Sequence, residues 1–220
     1  MKAMSLLDRD LTILEFCLRW RCATASVIAI VAGFKSIANA ERRLRQLEAV
    51  GFIKRKKVIA SEPIYCTCST KGAKQLGYLI AEYTFNPGGV LHEAGVAEIA
   101  AYLCITENIT IDDLRTDRDI LLAKKTGTNL HRADMITSDG LIGIEYERTP
   151  KKNDDLKRIF RANEKRYKGV IYFCPESPPR IKNNLENLKK NSLVEIEIVS
   201  MEEVRKKIEK YNLKEKKGKT

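Results

Sequence analysis

The sequence predicts an α/β (α+β) protein in two parts: a helical N-terminal domain closed by a basic hairpin, then a C-terminal domain on a mixed sheet. Three observations predict it. A capped helical repeat runs from Ser36 to Gly51 and leads into the basic run Lys54-Arg55-Lys56-Lys57. Four turn-forming residues meet at Asn86-Pro87-Gly88-Gly89. Beyond them, strand-like and helix-like segments alternate to the end of the chain. The boundaries read from these signals are 1–86 for the first domain, 90–211 for the second and 212–220 for a basic tail.

The elements follow in order. Leu11 to Arg21 carries apolar residues at Leu11, Leu14, Phe16, Leu18 and Trp20, with Asp10 as the N-cap. A short second helix fits Ala25 to Ala32 and stops at Gly33. The third starts at the cap Ser36 and places Ile37, Ala40, Leu44 and Leu47 at spacings of three and four. Its other face carries Asn39, Arg42, Arg43, Arg45 and Gln46. Then come Phe52-Ile53, the four basic residues Lys54, Arg55, Lys56 and Lys57, a turn at Ser61-Glu62-Pro63, and a strand from Ile64 to Cys68. Three helices followed by a basic hairpin is the order of a winged helix-turn-helix. In such a domain the third helix enters the major groove, where Arg, Asn and Gln read base edges. The hairpin lysines meet phosphates, which adds affinity without sequence information. Thr70 to Leu76 reads as a further capped helix. A helical bundle with a solvated basic face is the competing reading.

In the second domain, Val90 to Ile105 is helical, Ile109 to Ile111 fits a short strand, and Asp117 to Lys125 fits a short helix. A hairpin follows, with a turn at Ser138-Asp139-Gly140. Next come a helix from Asp154 to Tyr167, a buried strand from Gly169 to Phe173, a helix from Pro178 to Lys190 and a strand from Leu193 to Val199. Ser200 caps a last helix through Tyr211. This order implies a mixed sheet with helices on both faces.

Net charge is +11, and its distribution is uneven: +7 over residues 1–90, −5 over 91–150 and +9 over 151–220. An acidic island between basic flanks points to a polyanion for the flanks and a cation for the middle. Surface lysines that only aid solubility are the plainer alternative. The six cysteines lack metal-ligand spacing and read as reduced cytosolic thiols, which places the protein in the cytoplasm. His92-Glu93 opens like a zinc-protease motif, but Val96 stands where the second histidine is needed. No apolar run of about 18 residues stands out, so neither a membrane span nor secretion is expected.

The candidate catalytic and metal-ligating residues lie in the hairpin. Asp134 precedes its turn, and Glu145 and Glu147 sit two apart on the following strand, hence on one face. Three carboxylates brought together suit a hard divalent ion such as Mg2+ or Mn2+ and are costly to crowd without one. A hairpin with a wet polar face shows the same alternation.

This order, with Asp134 before a turn and Glu145-Tyr146-Glu147 on the next strand, resembles the restriction-endonuclease-like or PD-(D/E)xK fold. Over roughly Thr12 to Ile198 the chain also resembles the replication-relaxation proteins of plasmids and mobile elements. That second likeness rests on the winged helix, on TKGAKQLG at Thr70 to Gly77, on the helix opened by His92 and on HRADMI…IEYERT at His131 to Thr149. It implies double-stranded DNA as partner and a role in plasmid replication or mobilisation. A relaxase or a replication initiator is the candidate protein partner, and a homodimer is a further candidate assembly.

The nuclease pattern is broken at one point. Glu147 stands where an active enzyme has a lysine that would stabilise developing charge. Lys151, Lys152 and Lys157 are the nearest substitutes, with Lys152 taken as the catalytic candidate beside Asp134, Glu145 and Glu147. The expectation is therefore a DNA-binding accessory protein with little hydrolytic activity; the alternative is a metal-dependent DNA endonuclease with a winged-helix reader.

Overall fold

The structure, a computed structural model, describes residues 5–79, 83–119 and 132–217. It has an α/β fold with an N-terminal helical region and a separate mixed-sheet domain. One compact unit takes in the chain up to Ile111 together with the residues from Lys207 on, and the other spans Asp112–Lys206.

The first unit begins with α1 (Asp8–Arg19), β1 (Ala23–Thr24), α2 (Ala25–Val31) and α3 (Ile37–Ala49). The helix α1 starts earlier than expected. Leu7 takes the N-cap position, and Asp10, inside the first turn, accepts the Leu7 N–H at 2.8 Å. The α3 cap is as expected: the Ser36 hydroxyl accepts from the Asn39 N–H at 3.2 Å. Gly51, with φ +80°, provides the left-handed turn that leads out of this helix. The core joins Ile13, Leu14 and Phe16 of α1, Ile28 of α2 and Leu44 and Leu47 of α3, all buried. Strands β2 (Ile53–Lys56) and β3 (Tyr65–Cys68) form an antiparallel hairpin, and β1 adds to its far edge in the order β1-β3-β2.

Helix α4 (Thr70–Gln75) folds back on this hairpin, capped by Ser69. The close approach requires a glycine. A Cβ at Gly72 would stand 2.3 Å from the Phe52 carbonyl oxygen and 2.8 Å from the Cys68 sulfur.

Helix α5 (Pro87–Thr106) corrects the expected domain boundary. Asn86 is its N-cap, accepting from the Gly89 N–H at 2.7 Å, and Pro87 occupies the first turn, where no backbone donor is needed. The four turn-formers therefore start a helix, and that helix belongs to the first unit, where it packs against α2 and β1. It is also long and apolar enough to cross a membrane, with a mean hydropathy of 1.2, unlike the sequence expectation. Half of that stretch is buried within the protein, including Val90, Val96, Ile99 and Leu103.

The second unit holds a five-stranded sheet in sequential order, β4 (Leu114–Thr116), β5 (Met135–Thr137), β6 (Ile142–Tyr146), β7 (Gly169–Cys174) and β8 (Glu195–Ser200). The first three strands run antiparallel, and β6, β7 and β8 are parallel. A 3-10 turn at Ile111–Asp113 replaces the strand expected at Ile109 to Ile111. Of the helix expected over Asp117 to Lys125, residues 117–119 are helical and the remainder lies outside the described residues, as does His131. The crossover helices are α6 (Asn153–Glu164) and α7 (Arg180–Lys189). Leu156 and Phe160 of α6 and Ile181 and Leu185 of α7 share one cluster with Val170, Tyr172 and Cys174. Both crossovers thus lie on one sheet face rather than being divided between two. Parallel strands added in a single direction through right-handed connections produce this. The last helix, α8 (Met201–Lys217), is capped by Ser200 and continues past Tyr211, so residues 212–217 of the expected basic tail are helical. Asn212 is buried there and bonds to the Ser26 carbonyl at 3.5 Å.

Gly72→Ala is expected to lose roughly 1–3 kcal/mol of stability, because backbone rather than a flexible side chain opposes the added methyl. Urea unfolding checks this, and an unchanged midpoint would show that α4 is not seated as described.

Candidate nucleic-acid interface and carboxylate site

Helix α3 divides its polar residues between two tasks. Arg43 turns back to α1, where its guanidinium grips both carboxylate oxygens of fully buried Asp10, with Nε–Oδ1 at 2.7 Å. Burial disfavours the Asp10 carboxylate. The bonds from Arg43 and from the Leu7 N–H outweigh that and hold its pKa below the ordinary 3.8. This contribution to stability is present above pH 3.8 and is lost as the pH falls through the lowered value. Arg43 is therefore a strut between two helices.

Arg42, Arg45 and Gln46 are exposed on the outer face of α3, and Asn39 is half-buried at its start. Gln46 receives the remaining Arg43 donor at 2.9 Å. Asn39, Arg42 and Gln46 line a groove of about 380 Å³ together with Arg9 and Lys35. The Arg9 guanidinium is fixed 4.7 Å over the Phe34 ring. Sequence reasoning missed Arg9 and Lys35, because nothing local to either residue connects it with α3.

The hairpin basic residues also divide. Alternation along β2 turns Lys54 and Lys56 outward and Arg55 toward α3. Arg55 is nearly buried and bonds Glu41 at 2.5 Å, with Glu48 at 3.8 Å. It joins the hairpin to α3. Lys57 donates to the Glu62 carbonyl and closes the hairpin loop.

In the second unit, the carboxylates each have a partner of their own. Asp134 stands just before β5 and accepts the Tyr146 N–H at 2.8 Å. Glu145 is 3% exposed and accepts from Asn163 Nδ2 of α6 at 2.9 Å. The same amide donates to the Tyr172 hydroxyl at 3.1 Å. Burial, reinforced by the charges of Glu145 and Glu147, pushes the Tyr172 phenol well above its usual pKa, so it stays protonated. Tyr167 of the loop after α6 lies against Gly143, where a Cβ would meet its ring at 2.6 Å. Gly143 and Glu145 thus look toward α6, as strand alternation requires. Glu147 is 2% exposed, and both its oxygens are held by Lys151. Lys151, rather than Lys152, brings a cation to this group; Lys152 is exposed at the N-cap position of α6.

A divalent ion fits this donor set poorly. The Lys151 ammonium occupies Glu147, and Asn163 holds Glu145. Among the described residues no three or more His, Cys, Asp or Glu side chains stand where they could hold a metal ion.

The fold and these sites define an α/β chain with a helical N-terminal unit and a separate mixed-sheet unit. No family model matches the sequence, and no curated protein or solved structure is detectably similar to it.

Asn163→Asp places a second carboxylate against buried Glu145. It is expected to lose about 3 kcal/mol or more at pH 7, the scale for an uncompensated buried charge. The raised pKa of the new pair makes this loss shrink as the pH falls, since the folded state then binds more protons. Thermal melts at pH 7 and pH 5 check the sign; equal losses at both would contradict the Glu145–Asn163 contact.

Proposed function

We propose that this chain is a DNA-binding accessory protein, serving replication or mobilisation of a plasmid or mobile element, whose first unit is a winged helix. The observation that carries the reading is the division of labour on α3. Its apolar face and Arg43 are committed to the core, while Arg42, Arg45 and Gln46 stand outside beside a groove that Arg9 and Lys35 make basic. Guanidinium and amide groups on one helix face suit base edges in a major groove. Lys54 and Lys56 on the hairpin suit phosphates. The strand β1, paired to the hairpin, supports the winged-helix reading. The role in replication or mobilisation rests on the motif resemblance between Thr12 and Ile198.

The second unit is read as a nuclease-like module without efficient hydrolysis. Its order of three antiparallel strands, a helix and a parallel strand supports a restriction-endonuclease-like reading. Two features support the lack of hydrolysis: Glu147 in place of lysine, and the use of Lys151 to neutralise that glutamate. A cation paired in this way cannot also compensate charge on a transition state.

Selection from a random duplex pool tests the first unit. Arg42→Ala is expected to cost about 1–3 kcal/mol at a guanine and to relax preference at that position, with the melting temperature unchanged. Arg43→Ala is expected to lose about 3–5 kcal/mol of stability by leaving Asp10 buried and unpaired. An unaltered preference in Arg42→Ala, Arg45→Ala and Gln46→Ala alike would overturn the assignment of α3.

With supercoiled DNA and Mg2+ or Mn2+, no nicking above background is expected from the wild type. Robust nicking that disappears in Glu145→Ala would make the protein a metal-dependent endonuclease instead.

A further inference from the structure

We infer that the outward face of α6 is a second, sequence-independent binding surface for the sugar-phosphate backbone of duplex DNA. It lies in the second unit and goes beyond the reading of α3. Leu156, Ile159, Phe160 and Asn163 point inward at spacings of three and four and are buried. The opposite face presents Lys157, Arg158, Arg161, Lys165 and Arg166, all exposed, along a groove of about 900 Å³.

Charge sets this face apart from an ordinary solvated helix. Surface helices usually alternate signs, so that i,i+4 pairs neutralise one another. Here the acids are gathered at the N-terminal end of the stripe, where Asp154 shares the groove with the cations. Asp154 and Asp155 occupy the first turn, next to the positive end of the helix dipole. Asp155 meets the first arginine, Arg158, at 3.3 Å. Glu164 turns aside to accept the Leu193 N–H at 3.0 Å. What remains beyond the Asp155–Arg158 pair is a row of cations at positions 157, 161 and 165. At a rise of about 1.5 Å per residue the row covers roughly 12 Å. Phosphates of one strand succeed each other every ~3.4 Å along a duplex axis, so the row spans several of them.

The lining also selects among nucleic acids. Single strands are held by aromatic side chains on which bases stack. Among the described lining residues there is no aromatic side chain, only cations, one alanine and Asp154. That composition suits a backbone whose bases are already stacked and paired.

The test uses the full chain with Lys157, Arg161 and Lys165 all changed to Gln. The control changes Lys182, Lys189 and Lys190 of α7, also exposed, to Gln and so removes the same charge. Binding is titrated from about 50 to 200 mM salt on a random-sequence DNA duplex, on single-stranded DNA of equal length and on duplex RNA. The α6 variant is expected to bind the DNA duplex at least about tenfold more weakly, with the slope of log affinity against log salt flattened by about 2–3 units. The control is expected to change neither by half as much, and both variants should melt as the wild type does. Equal effects in the two variants would reduce the stripe to net charge and overturn the inference. So would an unchanged affinity for duplex DNA, or a loss confined to single strands or RNA. Arg42→Ala, carried in parallel, separates the two surfaces. A weakened α6 variant beside an Arg42→Ala protein of unaltered site preference would leave the stripe standing and sink the α3 reading, and the reverse pattern would do the opposite.

Discussion

A carboxylate sealed from water inside a helical domain must be matched by a cation, and in this protein that requirement governs how α3 is set. Asp10 is fully buried at the start of α1, and Arg43 reaches both its oxygens. Two parallel charge-assisted bonds fix distance and also orientation, because the guanidinium fork is planar. Once Arg43 is turned inward, the 3.6-residue period dictates the rest of the helix. Ala40, Leu44 and Leu47 follow it into the core, and Arg42, Arg45 and Gln46 are carried to the outside. Arg55 fastens the hairpin to the same helix through Glu41 and Glu48. The ion pairs of this unit build the surface on which the proposed reading of DNA depends.

The second unit handles its buried charge differently. Glu145 is met by a neutral amide and Glu147 by a lysine four residues on. Tyr172, kept protonated by burial and by these carboxylates, completes the polar cluster beneath α6. The two bonds from the Asn163 amide tie α6 to the sheet and fix which of its faces looks outward. The basic stripe is the outer consequence of that inner arrangement.

Local signals were legible in the sequence, and long-range pairings were not. Ser36 and Ser200 each declare a helix start by a cap that needs only the next few residues. Strand alternation along β6 accounts for Glu145 lying on the α6 side together with Gly143. Nothing local says that Asp10, which looks like an N-cap, serves instead as the partner of an arginine 33 positions later. For the same reason Arg55 reads as one more wing cation until Glu41 is seen beside it. The run Asn86-Pro87-Gly88-Gly89 misleads in the opposite direction. Its members favour turns individually, yet together they supply an N-cap and a first helical turn, and the nearly all-apolar helix that follows has to be buried in the first unit. The α6 stripe was visible as composition, and its meaning required knowing that Leu156, Ile159, Phe160 and Asn163 face the sheet.

The most direct measurement of the central claim is a titration of the isotopically labelled protein with a selected DNA duplex, followed by backbone amide and arginine side-chain NMR. If α3 enters the duplex, the largest shifts fall on Arg42, Arg45 and Gln46 and on Lys54 and Lys56 of the hairpin, while the Arg43 Nε–H signal stays where Asp10 holds it. Shifts that leave α3 untouched, or that move Arg43 along with its exposed neighbours, would contradict the account.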